Sequence, residues 1–414
     1  MEEEVSMNSI LLLVNVPPKS EIGLDMKNWI APDKFYGVKN IPSGFHIFYS
    51  RSGESNHLSG LRISHPFTIG TREIVKFDYC KEKEEFIRCP LTQEETNRIH
   101  QNEELPHMLP EYPKDLQRSW LSLSCFISYE LVSKHISENS PIYSCDFLQS
   151  IPSNSHDRLA ENYQVPEMKE IEEMKLNFVK IPKHSQISSL SPKEITLLNM
   201  DKSDILRDYL DKFKVKTHIM EKMVEKFDLT LEEITFLSEL QFSFIVVLVA
   251  QNMSGWYQWR DILTLISFCE EKIRSSPQFF KYIIFVLYHQ MLCDDPVESL
   301  NTHGDTFFSL MAEAFSDEET KVNIISVSLK RIFSNIFNTV EDLKAKQLSE
   351  PEKAELKTLT EWSEGFRKYL QKRFTWDLSF HRNIVCQADE NGDLSEIPID
   401  SIDWDTEDAP VIVS

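Results

Sequence analysis

The sequence predicts an α+β protein with a β-rich, β-sandwich-like N-terminal domain, an all-α helical C-terminal domain and a disordered acidic tail. Glycine and proline, which punctuate turns and break helices, are concentrated early: six of the ten glycines lie before residue 71, and fourteen of the nineteen prolines lie at or before Pro192. Helix-start patterns dominate after that point. The last 32 residues contain nine Asp or Glu and no Lys or Arg, a composition that resists collapse.

The N-terminal domain, residues 1–148, is predicted to be mainly antiparallel sheet closed by a helix. Short apolar or alternating runs bounded by Gly and Pro are typical of strands. These runs are Ser9–Val16, Gly44–Ser50, Leu61–Phe67 and Glu73–Tyr79. Helical spacing of apolar residues then predicts one helix within Asp115–Ile136. Residues 149–190, rich in Ser, Asn and Pro, are predicted to be a linker.

The C-terminal domain, residues 191–382, is predicted to be a bundle or irregular array of about six helices. Ser276-Pro277 marks one helix start. Capping boxes, in which Ser or Thr is followed three residues later by Glu, mark others: Ser191…Glu194, Thr230…Glu233, Ser316…Glu319 and Ser349…Glu352. The apolar-periodic segments are Leu231–Asn252, Trp256–Arg274, Gln278–Cys293, Thr320–Thr339 and Lys353–Phe374.

The tail, residues 383–414, mixes acidic and apolar residues. Its segment Asp389–Asp405 is predicted to be a solvated tether. The end is an unpaired, β-prone tip that suits strand addition to a partner's sheet edge. The candidate partner-binding residues are Trp404, Pro410, Val411, Ile412 and Val413. The alternative is an idle, solvated chain end.

Composition narrows the partners. The net charge is −22, from 44 basic and 66 acidic residues, whereas binding to nucleic-acid phosphates requires a surplus of Lys and Arg. Direct nucleic-acid binding and membrane binding are therefore not expected. The longest apolar run, near Leu240–Ala250, is far shorter than the roughly 20 residues that span a bilayer. Seven widely spaced cysteines and the acidic start of the chain predict reduced thiols in cytosol or nucleus.

No nucleotide-binding, kinase or nucleophile-elbow motif occurs in the sequence, so no catalysis is expected and no catalytic, cofactor or metal residue is assigned. His289 and Cys293 share a predicted helix face, but structural zinc takes about four ligands. Asp389–Asp393 resembles the start of a calcium loop, yet Leu394 and Asp400 stand where Gly and Glu are needed. Nothing singles out a hydrolytic triad among the many Ser, His and Asp residues.

A series of motifs resembles the A1-cistron splicing factor family. The family's opening signature is matched by Gly23-Leu24-Asp25, Trp29, Lys34–Lys39 and Ile41–His46. The family motif residues at this end are Gly23, Asp25, Trp29, Phe35, Gly37, Lys39, Pro42, Gly44 and His46.

Further blocks follow in the family's order along nearly the whole chain. They are Trp120–Leu123 with Phe126-Ile127, Leu237–Phe244 with Trp259 and Leu263, Leu287–Met291, Lys372–Asp377 and Glu407–Val413. Two blocks depart from the pattern. Pro32-Asp33 stands where the family tends to have Gly-Pro before Lys-Phe, and Pro296–Leu300 stands where it usually has Pro-x-Asp-Phe-Phe. Each block is moderately specific, and the ordered set is hard to obtain by chance.

The resemblance implies a non-catalytic assembly factor, similar to a chaperone, for the U5 small nuclear ribonucleoprotein in pre-mRNA splicing. Members bind the largest U5 protein on its RNase H-like and Jab1/MPN-like domains, with the tail added as a strand, and so keep the spliceosomal helicase off until maturation. The resemblance also implies that no cofactor is bound, that the complex forms in the cytoplasm and that the factor is exchanged in the nucleus. We expect a monomer before complex formation. The rival functions are a generic helical adaptor with unrelated protein partners and an enzyme or metalloprotein using His289 and Cys293.

Several motif residues also have structural interpretations. Gly37 and Gly44 are expected to permit tight turns. His46, within a predicted strand, is expected to be a satisfied polar residue and not a proton carrier. Five aromatic residues are expected in the core: Trp29, Phe35, Trp120, Phe242 and Phe244.

Overall fold

Nine short strands precede residue 145 in the computed structural model, which describes residues 9–51, 61–102, 104–136, 140–144, 176–182, 201–213, 218–293, 323–344, 349–379, 384–388 and 394–398. They are β1 Ser9–Val14, β2 Glu21–Leu24, β3 Lys27–Ile30, β4 Gly37–Ile41, β5 Gly44–Arg51, β6 Arg62–Ile69, β7 Ile74–Cys80, β8 Glu85–Cys89 and β9 Ile142–Tyr143. The four predicted strands correspond to β1, β5, β6 and β7, with shifted ends.

The first sheet has the strand order β4-β1-β7-β8. Its central pair is parallel, with Leu11 of β1 opposite Val75 of β7, which is an exception to the mainly antiparallel pairing that the sequence predicts. The physical reason is the connection. Between β1 and β7 the chain builds most of the second sheet, and such a long crossover lets it return in the same direction.

The second sheet has the order β3-β2-β5-β6-β9, and all its pairs are antiparallel. Side chains of both sheets meet in one apolar core. The ring of Phe48 lies 5.2 Å from that of Phe77 and 5.0 Å from that of Phe86, while Phe67 lies 6.1 Å from Phe77. This face-to-face packing confirms the predicted sandwich-like N-terminal region.

Twelve helices are described. They are α1 Gln93–His100, α2 Leu105–Met108, α3 Lys114–Ser124, α4 Tyr129–Val132, α5 Ser203–Asp211, α6 His218–Phe227, α7 Leu231–Leu248, α8 Met253–Ile266, α9 Glu270–Ser275, α10 Pro277–Leu292, α11 Ile324–Lys344 and α12 Glu350–Phe374. The predominance of helix after residue 200 confirms the predicted α+β class.

Two predicted helices are divided. The helix expected within Asp115–Ile136 breaks after α3, where the main chain at Phe126 bonds to a side chain of another helix instead of continuing its own ladder. The helix expected over Trp256–Arg274 breaks between α8 and α9, where the carbonyl of Phe268 accepts a hydrogen bond from the amide of Lys202.

Helix α7 begins as predicted. Thr230 accepts from the amide of Glu233 at 3.2 Å, and the Glu233 carboxyl accepts from the amide of Thr230 at 3.1 Å. Nearly all of its residues are buried, as expected for a helix that is apolar on every side. The box at Ser349 and Glu352 also forms, whereas those at Ser191 and Ser316 lie outside the described residues.

Residues 384–388 and 394–398 of the acidic tail are described, and they form a regular element. Strands β10 Ile384–Ala388 and β11 Leu394–Pro398 pair as an antiparallel hairpin, which corrects the expectation that the tail has no regular structure. The β-branched residues of these segments favour strands, and the Asp-Glu-Asn-Gly-Asp sequence between them is typical of a hairpin turn. Trp404 and the tip Pro410–Val413 lie outside the described residues.

The chain divides into two units. The first draws on Met1–Ile181, Tyr209–Ile262 and Val286–Phe307, and the second on Pro182–Asp208, Leu263–Phe285 and Phe308–Ser414. Each unit is built from several separate segments of the chain, whereas each predicted domain is one continuous range. The bounds of the predicted domains therefore stay a prediction. Within the parts of the chain described, no helix is both long and apolar enough to cross a membrane.

The second unit is held mainly by its long helices. Phe333 of α11 packs edge-on against Phe366 of α12, with ring centroids 5.5 Å apart. The side-chain amide of Asn335 donates to the carbonyl of Ser267 at 3.0 Å. Helix α12 stops at Thr375, whose left-handed backbone (φ 55°) prevents another helical turn.

Candidate functional site

The opening family motif is organised around the carboxyl group of Asp25, in the turn between β2 and β3. Oδ2 lies 2.6 Å from Nδ1 of His46 and accepts from the hydroxyl of Tyr112 at 2.8 Å, while Oδ1 accepts from the amide of Ile47 at 2.9 Å. The amide of Asp25 donates back to the carbonyl of Ile47 at 2.8 Å. One side chain therefore joins the turn, strand β5 and the segment before α3.

His46 has an acceptor at each ring nitrogen. Nδ1 faces Asp25, and Nε2 lies 2.7 Å from the carbonyl oxygen of Pro42, which can only accept. Burial lowers the pKa of His46, but the charge and hydrogen bond of Asp25 and the Pro42 carbonyl together raise it above its usual value. The ring is wholly buried, so this imidazolium ties the fold together and does not face a substrate.

The remaining residues of the opening motif lie around this cluster. Gly37 opens β4 with φ +126°, and a Cβ there would lie 1.8 Å from the carbonyl oxygen of Leu11; the glycine serves a close strand approach, not a tight turn. The main-chain amide of Lys39 donates to the carbonyl of Pro110, and its carbonyl accepts from the amide of Tyr112, both at 2.9 Å.

The other motif glycines and aromatics have structural positions too. A Cβ on Gly23 would lie 1.9 Å from the ring of Tyr49. Trp29 packs on Phe35 with ring centroids 6.3 Å apart, Phe35 being buried and Trp29 half-buried. Gly44 begins β5 with φ +141° and is exposed.

The second and third motif blocks meet each other. The indole of Trp120 donates to the carbonyl of Phe45 at 2.7 Å, and the ring of Phe45 packs edge-on against Phe242 of α7 at 6.2 Å. Gln241, beside Phe242, accepts from the amide of Phe126 at 2.9 Å and donates to the carbonyl of Ser122 at 3.0 Å. The family blocks therefore build the packing between the β-rich region and α7.

The fourth block completes the same core. The carboxamide of Gln290 accepts from the indole of Trp259 at 2.9 Å and donates to the carbonyl of Leu240 at 3.1 Å. All three residues are fully buried. Trp120, Phe242 and Phe244 are buried as predicted.

A second charged cluster was missed by the sequence reasoning. Glu239 is buried in α7, and its Oε2 lies 3.1 Å from Nε2 of His135, an ion pair that is not aligned as a hydrogen bond. Oε1 accepts from the hydroxyl of Tyr209 at 3.2 Å and from the side-chain amide of Gln258 at 2.8 Å. The signal was a carboxylate in the middle of a predicted buried helix, because such a group is rarely buried without partners.

This cluster also binds the predicted linker. The amide of Val179 donates to Oε1 of Glu239 at 3.2 Å, and Nδ1 of His135 lies 3.0 Å from the carbonyl oxygen of Asn177. Burial lowers the pKa of His135, but the charge of Glu239 and the Asn177 carbonyl together raise it above its usual value.

The pair considered for zinc sits in a different setting. His289 is half-buried, and its pKa is lowered by burial and by the charge of Arg118. Cys293 is buried after the end of α10. Within the described residues no group of three or more His, Cys, Asp or Glu is arranged to hold a metal ion.

Two protein-family models match this sequence. One, described as the AAR2 N-terminal domain, matches residues 7–137, and the other, the AAR2 C-terminal repeat region, matches residues 178–379. Together they include both charged clusters and the blocks that pack on α7.

Relatives named "Protein AAR2 homolog" match along most of their length. The protein from Homo sapiens is 26% identical over 391 residues, which cover 89% of this chain and 90% of its own. The one from Mus musculus is 25% identical over the same shares. The one from Caenorhabditis elegans is 22% identical over 397 residues, 90% of this chain and 95% of its own. The chain therefore belongs to the AAR2 family, the A1-cistron splicing factors that its ordered motifs indicated, and its role is a splicing-related one.

Proposed function

We propose that this chain is a non-catalytic assembly factor for the U5 small nuclear ribonucleoprotein. It binds the largest U5 protein on its RNase H-like and Jab1/MPN-like domains and keeps the spliceosomal helicase off until maturation. The observation that carries the proposal is the collinear family match, which covers 89% of this chain and 90% of the human relative.

The burial of the signature residues supports a binding role. Asp25, His46, Gln241 and Gln290 are all buried and all bonded to main-chain groups or to each other. The trio of Asp25, His46 and Tyr112 has the composition of an acid–base site, but a substrate could reach it only if the sandwich opened. The family signature therefore specifies a scaffold, and partner contacts belong to its surface and tail.

The tail tip supplies the chemistry for strand addition. Val411, Ile412 and Val413 are β-branched, and residues 411 and 413 of a strand point to the same side. In this binding mode the main chain provides the hydrogen bonds, and pockets for alternate side chains provide specificity.

Titration calorimetry with the two C-terminal domains of the U5 protein tests the tail. The full chain, a chain ending at Arg382 and a V411D/V413D variant are compared, with S414D as the control that adds charge without removing an apolar side chain. We expect the truncated chain and the double variant to bind at least about tenfold more weakly, a loss of about 1.4 kcal/mol, and S414D to bind as the full chain does.

The outcomes separate the parts of the proposal. Equal affinities of the full and truncated chains would show that the tail has no role in binding. Failure of the full chain to bind either domain would remove the proposed partner. Unbiased co-purification that recovered no U5 component would then favour the generic helical adaptor.

We also propose that the complex forms in the cytoplasm and that the factor is exchanged in the nucleus. Fractionation followed by co-sedimentation checks this. The expected result is co-sedimentation with the largest U5 protein in the cytoplasmic fraction and its loss from mature nuclear particles. Equal association in both fractions would contradict the exchange step.

A further inference from the structure

A short extended segment, Leu176–Ile181, lies on the first unit without forming a helix or strand. We call these six residues the strap. Its Asn177 and Lys180 are exposed and the other four residues are only half-buried. The sequence assigned it to the linker, yet the structure binds it closely.

The strap is held chiefly through its main chain. Both polar main-chain groups of Asn177 are engaged: its amide donates to the carbonyl of His135 at 2.9 Å, and its carbonyl lies 3.0 Å from Nδ1 of the same histidine. Both groups of Val179 are engaged too, the amide with Glu239 at 3.2 Å and the carbonyl with Gln258 at 3.1 Å. Alternate residues of the strap are therefore recognised through their main-chain groups, once by a main-chain carbonyl and three times by side-chain atoms.

One side chain of the strap acts as an anchor. The ring of Phe178 lies 5.4 Å from the ring of His135 and 6.0 Å from that of Phe242. Lys212 adds a bond from its ammonium group to the carbonyl of Lys180 at 2.7 Å. The chemistry recognised is an extended peptide with one aromatic residue.

The groove beneath the strap is organised without it. The Oε1 atom of Glu239 accepts from Tyr209 and Gln258 as well as from Val179, and Gln258 also donates to the hydroxyl of Tyr209 at 2.7 Å. His135 stays ion-paired to Glu239. When the strap leaves, Glu239 keeps three partners, so the groove retains its shape.

We propose that the strap is an autoinhibitory self-ligand: it occupies a groove for extended, aromatic-bearing peptides in cis and is released without unfolding of the first unit. A segment with few buried side chains opens at much lower free energy than the core on which it lies. Release presents Glu239 and Gln258 to the main chain of another peptide and leaves room for its aromatic residue beside Phe242. This inference does not depend on the proposed U5 partner.

Hydrogen exchange of the full chain provides the first measurement. The amides of Asn177 and Val179 should exchange faster than those in the middle of α7, because they open locally. Identical exchange of both sets in a single global event would overturn the proposal, since the strap would then be an inseparable part of the core.

A proline pair provides matched variants. V179P removes the amide that donates to Glu239, whereas K180P removes an amide with no hydrogen bond among the described residues and keeps the carbonyl that accepts from Lys212. We expect V179P to speed exchange at Asn177 about tenfold or more, as the loss of a bond to a charged acceptor predicts, and K180P to leave it unchanged. A V179P chain that did not fold would also place the strap in the core and overturn the proposal.

Binding in trans is the decisive step. A fluorescent peptide with the sequence Leu-Asn-Phe-Val-Lys-Ile-Pro, residues 176–182, is titrated into V179P and into the unaltered chain, and anisotropy is read. We expect V179P to bind it at least about tenfold more tightly than the unaltered chain does, and a peptide with proline at the valine position to bind neither. A folded V179P chain that did not bind the first peptide would contradict the proposal.

Discussion

Asp25 and His46 form an ion pair that is almost completely buried, with Oδ2 of the carboxyl group 2.6 Å from Nδ1 of the ring. The pair joins the β2–β3 turn to β5 and receives a further hydrogen bond from Tyr112. A buried pair of this kind is costly to break, because removing one charge leaves the other without compensation.

The D25N variant is predicted to lower the free energy of unfolding by about 3–5 kcal/mol. Asparagine fits the left-handed backbone of this position (φ 55°), so the effect arises from the lost charge beside His46. Urea unfolding followed by circular dichroism measures it, with D33N at an exposed position as the control. A D25N chain as stable as D33N would contradict the assignment of a charged pair.

Stability is predicted to fall as the pH rises above about 6.5. The folded-state pKa values of His46 and His135 are raised, because Asp25 and Glu239 with neighbouring carbonyls outweigh burial. Groups with raised pKa values contribute fully below the unfolded-state pKa and lose that contribution as the pH passes the folded-state value. Urea titrations between pH 6 and 9 measure the slope, and H135Q should make it shallower. A flat profile would rule this linkage out.

The loss of folding stability at acidic pH is predicted to depend on His65. Burial lowers the pKa of His65 to about 3, and its ring packs on Phe48 and Phe77 at 5.7 and 5.2 Å. Below pH 6.5 the unfolded chain binds a proton that the folded chain does not, so this site costs up to about 1.4 kcal/mol per pH unit.

The H65F variant should therefore lose less stability than the unaltered chain between pH 6.5 and 4.5, while keeping the aromatic packing. Thermal unfolding at several pH values measures the difference, and H107F, at an exposed position, serves as the control. Parallel acid limbs for H65F and the unaltered chain would show that His65 does not set this dependence.

The Q241L variant tests the contact that ends α3. It removes the side-chain acceptor 2.9 Å from the amide of Phe126 and the donor 3.0 Å from the carbonyl of Ser122, and the loss of these buried hydrogen bonds is expected to cost about 1–3 kcal/mol. Q241E places an ionisable carboxyl group at this fully buried position, and burial of a charge is costly, so it should be no more stable than Q241L at neutral pH. Denaturant unfolding ranks the three proteins, and a Q241L chain equal to the unaltered one would show that the contact contributes nothing.

Alanine substitutions at Gly37 and Gly44 distinguish the cost of a steric collision from the cost of backbone strain. Both Gly37 and Gly44 have φ values that side chains disfavour, but a Cβ on Gly37 would collide with the Leu11 carbonyl at 1.8 Å, whereas one on Gly44 meets nothing within 4 Å. G44A should cost about 1–3 kcal/mol, and G37A should cost more and distort the β1–β4 pairing. Melting temperatures measure both, and equal shifts would show that the collision relaxes freely.

The helices and several strands could be predicted from local signals. The capping box at Thr230 and the all-round apolar sequence after it define α7, because both depend only on neighbouring residues. The parallel pairing of β1 with β7 could not be predicted, since it depends on where a distant strand returns. Strand β2 was missed too: it is only four residues long, and its buried Glu21 is compensated by Arg62 from another strand.

The same limit applies to the candidate site. The order of the family motifs predicted which residues form the candidate site, and the aromatic residues among them were expected in the core. Their hydrogen bonds could not be read from the chain, because Gln241 contacts residues 115 and 119 positions away. The sequence placed the strap in the linker. Its binding to the first unit could not be predicted, because the stabilising contacts come from His135, Glu239 and Gln258, which are distant in sequence.

The interleaved composition of the first unit affects synthesis on the ribosome. Phe45 of β5 packs on both Trp120 and Phe242, so β5 waits for α7, about 200 residues later, to be translated, which takes about 10–40 seconds at about 5–20 residues per second. During that interval aromatic surface is exposed to chaperones. A message truncated before Leu231 yields a fragment in which Phe45 lacks its contact with Phe242, and we expect such a fragment to be degraded.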